Sequence, residues 1–65
     1  MPDKLFLTAA DVVELLEVAK PTAYSIIRRL NKELENKGYI TVSGKISTQY
    51  FFERFGIEEA QTQTA

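Results

Sequence analysis

Short polar and cationic side chains recur along one side of the segment 20–37, opposite an apolar stripe. On a helix with about 100° per residue, this side and its flanks carry Tyr24, Ser25, Arg28, Arg29 and Lys32. Arginine can donate two hydrogen bonds to the O6 and N7 atoms of guanine, serine can reach bases or phosphates, and lysine neutralises phosphates. We therefore interpret this side as a candidate surface for double-stranded DNA. The alternative is a solvated helix face, because Arg and Lys are good helix formers.

Three residues outside that run extend the candidate surface to eight. Lys20 and Thr22 lie at the start of the segment, where the N–H groups of Thr22 and Ala23 would occupy the positive end of a helix dipole and could contact a phosphate. Lys45 lies one residue past a predicted turn at Ser43-Gly44. From there it could reach an adjacent phosphate or the minor groove.

The composition argues against catalysis. The 65 residues include no histidine and no cysteine, which excludes disulfides, thiolate nucleophiles, Cys/His zinc sites and every Ser-His or Cys-His arrangement. A chain of this length buries only about 60% of the surface it exposes when unfolded, and Asp11, Glu14 and Glu17 have no groups converging on them. We therefore expect no enzymatic activity, no cofactor, no metal and no small-molecule substrate.

The net charge of −1 argues, taken alone, against nucleic acid, but the distribution of charge does not. Residues 1–19 carry one lysine and four acids, residues 20–54 carry seven cations and three acids, and residues 55–65 carry two acids. The middle of the chain is therefore basic and both ends are acidic. Chance segregation of solvated charge is the alternative interpretation.

A short first helix is predicted before the basic segment. Thr8 and Asp11 have the spacing of a capping box, with Asp in place of Glu or Gln, and apolar residues then recur at helical spacing. The predicted helix runs from about Ala9 to Leu16 or Glu17. The preceding Leu5-Phe6-Leu7 is compatible with a brief strand or with a staple packed against this helix.

The second predicted helix carries the candidate surface. Pro21 is a residue favoured at the first helical position, and Gly38 is suited to the left-handed position that ends a helix. These signals predict a helix from Pro21 to about Lys37. Its buried stripe consists of Ala23, Ile26, Ile27, Leu30 and Leu34.

A two-stranded hairpin is predicted next. Residues 39–42 (YITV) and 45–47 (KIS) are β-prone runs, and Ser43-Gly44 between them has the length of a two-residue hairpin turn. Isolated hairpins are marginal in water, so this one is expected to lie against the helices. Tyr24 would either pack on this hairpin or contact the DNA backbone.

A third helix is predicted over residues 49–55, capped by Ser47 or Thr48 and ended by Gly56. Its aromatic residues are expected in the core, because two short helices and a hairpin need large side chains to fill the space between them. The expected core residues are Phe51, Phe52 and Phe55, while Tyr50 is expected to remain partly exposed. A stacking platform for single-stranded nucleic acid is the alternative.

The order of these elements predicts an α+β fold, mostly α. It is a small winged helix-turn-helix with two helices, a two-stranded β-hairpin wing and a short C-terminal helix. Residues 1–56 are the predicted DNA-binding domain, and residues 57–65 are predicted to be a flexible tail, since the last eight residues contain no apolar type except alanine. No run approaches the roughly 18 apolar residues of a membrane span, and the opening residues are unlike a signal peptide. We expect a cytoplasmic protein.

The residues that span the first two predicted helices resemble a known family. Residues 7–18 (LTAADVVELLEV) and 21–28 (PTAYSIIR) are similar to the opening of the excisionase and MerR-like group of small winged helix-turn-helix proteins. Residues 30–55 look like the short DNA-binding proteins of phages and conjugative elements in Gram-positive bacteria. The resemblance covers about residues 5–56.

This resemblance implies a recombination directionality factor. Such a protein binds near attachment sites, often as several copies, bends DNA and steers an integrase toward excision, sometimes also repressing a promoter. The implied partners are double-stranded DNA, neighbouring copies of the protein and an integrase, with no membrane. Lys20 stands where the family pattern has a capping Ser, and the long second helix with a short wing is also compatible with a small phage-type transcriptional regulator. A protein-interaction module is the alternative from another functional class.

Overall fold

Three helices and two short strands make up residues 4–56, the part of the chain that the computed structural model describes. Their order is β1 (Phe6–Thr8), α1 (Ala9–Leu16), α2 (Lys20–Asn36), β2 (Lys45–Ser47) and α3 (Thr48–Phe55). This mostly helical α+β arrangement confirms the predicted fold class. Within residues 4–56, no helix is long and apolar enough to cross a membrane. The tail predicted over residues 57–65 lies outside the described part of the chain.

The predicted capping box begins α1. Thr8 Oγ1 accepts a hydrogen bond from the Asp11 N–H at 3.3 Å, and Asp11 Oδ2 accepts one from the Thr8 N–H at 2.9 Å. Lys4 Nζ donates to the same carboxylate at 2.6 Å; this contact, with the Thr8 N–H, lowers the pKa of Asp11. α1 ends at Glu17, which adopts a left-handed conformation with φ of 56°. The chain therefore turns sharply and enters α2 after three residues.

The two ends of α2 differ in how their backbone groups are satisfied. Ala19 is the N-cap, one residue before the Lys20 position at which the family pattern has a capping Ser, and its side chain makes no capping hydrogen bond. At the other end the Gly38 N–H donates to Glu35 O and the Tyr39 N–H donates to Leu34 O, both at 3.0 Å. This is a Schellman motif with Gly38 at φ of 93°. The predicted helix end is confirmed.

The strand pairing differs from the predicted hairpin. β2 pairs antiparallel with β1, and Leu7 and Ile46 are opposite each other and fully buried. The brief strand considered before the first helix is therefore present, whereas residues 39–42 form no strand. The prediction of a two-stranded hairpin over 39–47 is wrong.

The turn before β2 explains this difference. The Lys45 N–H donates to Val42 O at 3.1 Å, which closes a four-residue turn. Gly44 has a φ of 78°, and Ser43 is not among the positive-φ residues. Two-residue hairpins of types I′ and II′ need a positive φ at the first central residue. A positive φ at the second central residue alone splays the flanking segments, and β2 pairs with β1 instead.

The aromatic residues of α3 close the core on one side. Phe51 is fully buried and Phe52 nearly so, with their rings 5.4 Å apart in an edge-on arrangement. Phe55 packs on Phe51 at 4.8 Å but is 41% exposed. The prediction of a shared buried face is correct for Phe51 and Phe52 and wrong for Phe55. Phe55 lies in the last turn before Gly56, and no described residue covers one side of its ring.

Tyr50 is buried, not partly exposed as predicted, because its hydroxyl has a partner on α2. The hydroxyl donates to Glu33 Oε1 at 2.7 Å. Arg54 holds the same carboxylate as a fork, with Nε 2.7 Å from Oε1 and Nη2 2.9 Å from Oε2. These bonds from Arg54 and then Tyr50 lower the pKa of Glu33 to about 2. A charge-assisted network therefore joins α2 to α3.

Acid should weaken this α2–α3 link. Glu33 has an ordinary pKa of 4.5 and a folded pKa of about 2, so its contribution to stability is present above about pH 4.5 and is lost as the pH falls through about 2. We expect urea unfolding to show wild-type stability falling across this window and converging toward that of Glu33→Gln. Arg54→Gln should lose the same pH dependence. A Glu33→Gln variant with the full wild-type pH dependence would contradict this assignment.

Candidate nucleic-acid interface

The side of α2 opposite the core is exposed, as the sequence pattern predicts. Ala23, Ile27, Leu30 and Leu34 are buried and Ile26 is partly buried against the core. The eight candidate residues are all exposed: Lys20, Thr22, Tyr24, Ser25, Arg28, Arg29, Lys32 and Lys45. Their exposure is compatible with contact to a macromolecule.

A groove of about 480 Å³ lies between α2 and the turn before β2. α2 contributes Tyr24, Arg28 and Lys32 to its walls, and the turn contributes Ser43 and Gly44. Of the eight candidates, the structure brings these three α2 residues together in the groove; the other five lie outside its lining. Lys45 is the last residue of the turn, adjacent to the groove without lining it.

Charge is unevenly distributed along this groove. Arg28 and Lys32 line it, and toward the C-terminal end of α2 the carboxylate of Glu35 accepts a hydrogen bond from Thr41 Oγ1 at 2.6 Å. Arg29 is 79% exposed and its Nε lies 3.9 Å from Glu33, which offsets part of its charge. Within the groove, the cations Arg28 and Lys32 therefore lie nearer the start of α2 than the carboxylate of Glu35 does.

The start of α2 offers fewer free backbone donors than the sequence suggests. The Ala23 N–H, predicted as a phosphate contact with that of Thr22, donates to Ala19 O at 3.0 Å, and Ala23 is fully buried. The prediction for this N–H is therefore wrong, because the helix already uses it at its first turn. Thr22 is exposed and remains a candidate.

Asn31 belongs to the site and was missed by the sequence analysis. It is 8% exposed, and its Nδ2 donates to Lys45 O at 2.8 Å and to Val42 O at 3.2 Å. The signal was present: Asn31 lies four residues after Ile27 and three before Leu34, on the core-facing side of the helix. A polar residue there requires partners, and the partners are the two ends of the turn.

A second groove, of about 450 Å³, lies on the other side of the 39–44 loop. Phe6, Leu34 and Tyr50 contribute apolar surface to it, and Tyr39 and Ile40 are 63% and 95% exposed at its edge. These residues lie in a loop, since the strand predicted for them does not form. The groove has a mixed lining, with these apolar side chains beside polar ones such as Lys37, Gln49 and Glu53, and its exposed apolar edge is a candidate protein contact.

Loss of the Asn31 amide should destabilise the fold. Asn31→Ala removes the side-chain donor of two partly buried hydrogen bonds and leaves Val42 O with only the Lys45 N–H, at a cost of about 1 to 3 kcal/mol, whereas the higher helix propensity of Ala offsets only about 0.5 kcal/mol. Lys32→Ala, at the next position on the exposed side, should change the free energy of unfolding by no more than about 0.5 kcal/mol. Urea unfolding followed by circular dichroism measures both; equal effects would contradict a structural role for the amide.

Comparison with known proteins agrees with the resemblance seen in the motif. No family model and no solved structure matches the chain. The chain is similar to the ICEBs1 excisionase of Bacillus subtilis (strain 168), with 37% identity over 59 residues that cover 91% of this chain and 92% of that protein. Identity at this level over nearly the full length of both chains indicates common descent. The chain therefore belongs to the excisionase family, whose members act in the recombination of mobile elements.

Proposed function

We propose that this chain is a sequence-specific double-stranded DNA-binding protein that acts in the cytoplasm as an excisionase, directing an integrase toward excision of a mobile element. Membership in the family supports the recombination role. The observation that carries DNA binding is the groove in which Arg28 and Lys32 of α2 face Ser43 and Gly44 of the turn. A cationic helix face beside a projecting turn suits the major groove and the phosphates next to it.

The candidate residues have different roles in this proposal. Arg28, opposite the core and two turns into α2, contacts a guanine edge. Lys20 and Thr22 at the helix start, with Tyr24 and Ser25 after them, contact the backbone or a base near the entry of the helix. Arg29, Lys32 and Lys45 neutralise phosphates on either side. The copies that bind side by side then bend the DNA.

Binding to mixed-sequence double-stranded DNA at low and moderate salt tests the proposal. Phosphate neutralisation releases counterions, so affinity must fall steeply as salt rises. An excision assay with the cognate integrase, with and without the chain, then tests the recombination role. A protein that fails to bind DNA at low salt would refute the proposal, and binding only at a promoter would favour a small transcriptional regulator.

Protein binding is a second candidate function, favoured by the exposure of Tyr39 and Ile40 beside the second groove. The two functions differ in salt dependence, since an apolar contact is much less sensitive to ionic strength than phosphate contacts. Ile40→Ser should leave binding to a single DNA site unchanged and weaken only a protein contact. A loss of single-site DNA affinity would instead place this loop at the DNA.

Removing Arg28 should reduce sequence-specific affinity. Arg28→Ala is expected to lower the affinity for the specific site by about 1 to 3 kcal/mol and to relax base preference at one position. Binding titrations against a set of single-base variants measure both effects. Lys37→Ala, which removes a cation at the far end of the same helix, should not alter base preference. Unchanged binding by a folded Arg28→Ala protein would remove Arg28 from the interface.

Removing Lys45 should weaken binding to all sequences alike. A lysine at the end of the turn is positioned for phosphate rather than for base edges, so Lys45→Ala should reduce the magnitude of the salt slope by about one. The measurement is affinity for specific and unrelated DNA over a range of salt. A loss confined to one base pair, with an unaltered slope, would be the contrary result.

Several copies should bind together on DNA although the free protein is a monomer. One helix and one turn bury an area near the low end for a single DNA-binding module, roughly 600 to 1,000 Å². Exposed acids on α1, Glu14 and Glu17, would then face the basic turn side of the next copy. Sedimentation without DNA and titration of two adjacent half-sites measure the two states. A tight dimer without DNA, or filling without cooperativity, would contradict one half of the prediction.

A further inference from the structure

We infer that Asn31 is a positioning residue for DNA binding. It fixes the turn formed by residues 42–45 to α2, so that Lys45 and the cationic face of the helix meet DNA as one rigid unit. The inference rests on the proposed function, and it names the residue that sets the position of the turn relative to the cationic face of α2. Asn31 itself is buried beneath the turn and touches no DNA.

The hydrogen bonds of Asn31 use the full donor capacity of its amide. An amide nitrogen has two protons, and Asn31 Nδ2 gives one to Val42 O and one to Lys45 O. Val42 O also accepts from the Lys45 N–H, the bond that closes the turn. One side chain of α2 therefore holds the first and last residues of the turn together.

The position of Asn31 is unusual for a residue that serves the core alone. An apolar side chain between Ile27 and Leu34 could pack in the core without the cost of desolvating an amide. Asn31 instead lines both the groove beside Arg28 and the second groove behind the loop. Asn31 therefore supports the loop at the point where it separates the two grooves.

A second hydrogen bond links the same loop to α2, but it lies on the surface. Thr41 Oγ1 donates to Glu35 Oε2 at 2.6 Å, and this pair is exposed to water. An exposed bond competes with solvent and contributes little to rigidity, whereas the Asn31 bonds are partly buried and come from a buried amide that is costly to leave unpaired. Among the side-chain bonds of residues 4–56, the Asn31 pair is therefore the one that keeps the turn in position.

This arrangement predicts coupling between Asn31 and Lys45 in DNA binding. When the turn is released, Lys45 is spread over many positions and its phosphate contact is lost even though the lysine is still present. Asn31→Ala should then reduce the magnitude of the salt slope by about one, the same reduction expected for Lys45→Ala. A residue that acted only on stability would lower the folded fraction and leave the slope of the folded protein unchanged.

A double-mutant cycle measures the coupling. We expect Lys45→Ala to weaken binding in wild type, and its fold-effect to shrink at least about twofold in the Asn31→Ala background. Thr41→Val is the matched control, because it removes the exposed bond between the same loop and helix; the Lys45 effect should persist in it. All affinities are measured below the unfolding transition, with the folded fraction taken from circular dichroism.

A second pair of variants perturbs the turn without touching the buried amide. Gly44 and Gly38 both have positive φ, and a Cβ at either position meets no atom within 4 Å. Gly44→Ala therefore strains the turn and Gly38→Ala strains the end of α2 in a similar way. The Lys45 effect should shrink in Gly44→Ala and persist in Gly38→Ala. This pair decides the question if Asn31→Ala does not fold.

The outcomes separate this inference from the proposed function. Failure of the wild type to bind DNA would refute both. In a second outcome, the wild type binds DNA, and folded Asn31→Ala keeps both the wild-type salt slope and the full effect of Lys45→Ala on affinity. That outcome would overturn the inference and leave the proposed function standing, as would the same result in Gly44→Ala if only that variant folds. Loss of the Lys45 effect in the turn variants, with its retention in both controls, would establish Asn31 as the positioning residue.

Discussion

The antiparallel pairing of β1 with β2 is the contact on which the other elements depend. Leu7 and Ile46 are fully buried across this pair, and the ladder continues into α3, where the Thr48 N–H donates to Leu5 O at 2.9 Å and Thr48 Oγ1 donates to Lys4 O at 2.8 Å. These bonds bring the start of the described chain to its last third. Because β2 is held against β1, the turn before β2 lies next to α2. The side of α2 opposite the core stays exposed.

Buried and charge-assisted polar contacts supplement a small core. A domain of this size has little apolar surface to bury, and specific hydrogen bonds join α2 both to α3 and to the turn before β2. Glu33 accepts hydrogen bonds from Tyr50 and Arg54 of α3, and Asn31 donates to the carbonyl groups at the two ends of the turn. Such bonds have defined directions, so they fix the angle and distance between elements more narrowly than apolar packing does.

The same helix therefore has three different surfaces. Its apolar stripe packs into the core, and Glu33 on its flank forms an ion pair with Arg54 of α3. Its exposed side presents Arg28 and Lys32 next to the turn. In the proposed function, affinity comes from the cations, and the geometry comes from the hydrogen bonds that Asn31 and Glu33 make to neighbouring elements. This separation explains why a residue that contacts no DNA can still determine how two contacting parts act together.

Local signals in the sequence were sufficient to determine the helices of this protein and the exposed side of α2. Capping at Thr8 and Asp11, the helix end at Gly38 and the apolar period of α2 involve neighbours within a few residues, so the sequence alone carries them. The pairing of residues 45–47, the burial of Tyr50 and the role of Asn31 depended on the tertiary structure. Each is decided by a partner distant in the chain, up to 41 residues away for Ser47, which pairs with Phe6, and a sequence pattern does not specify which distant backbone or side-chain group will meet it.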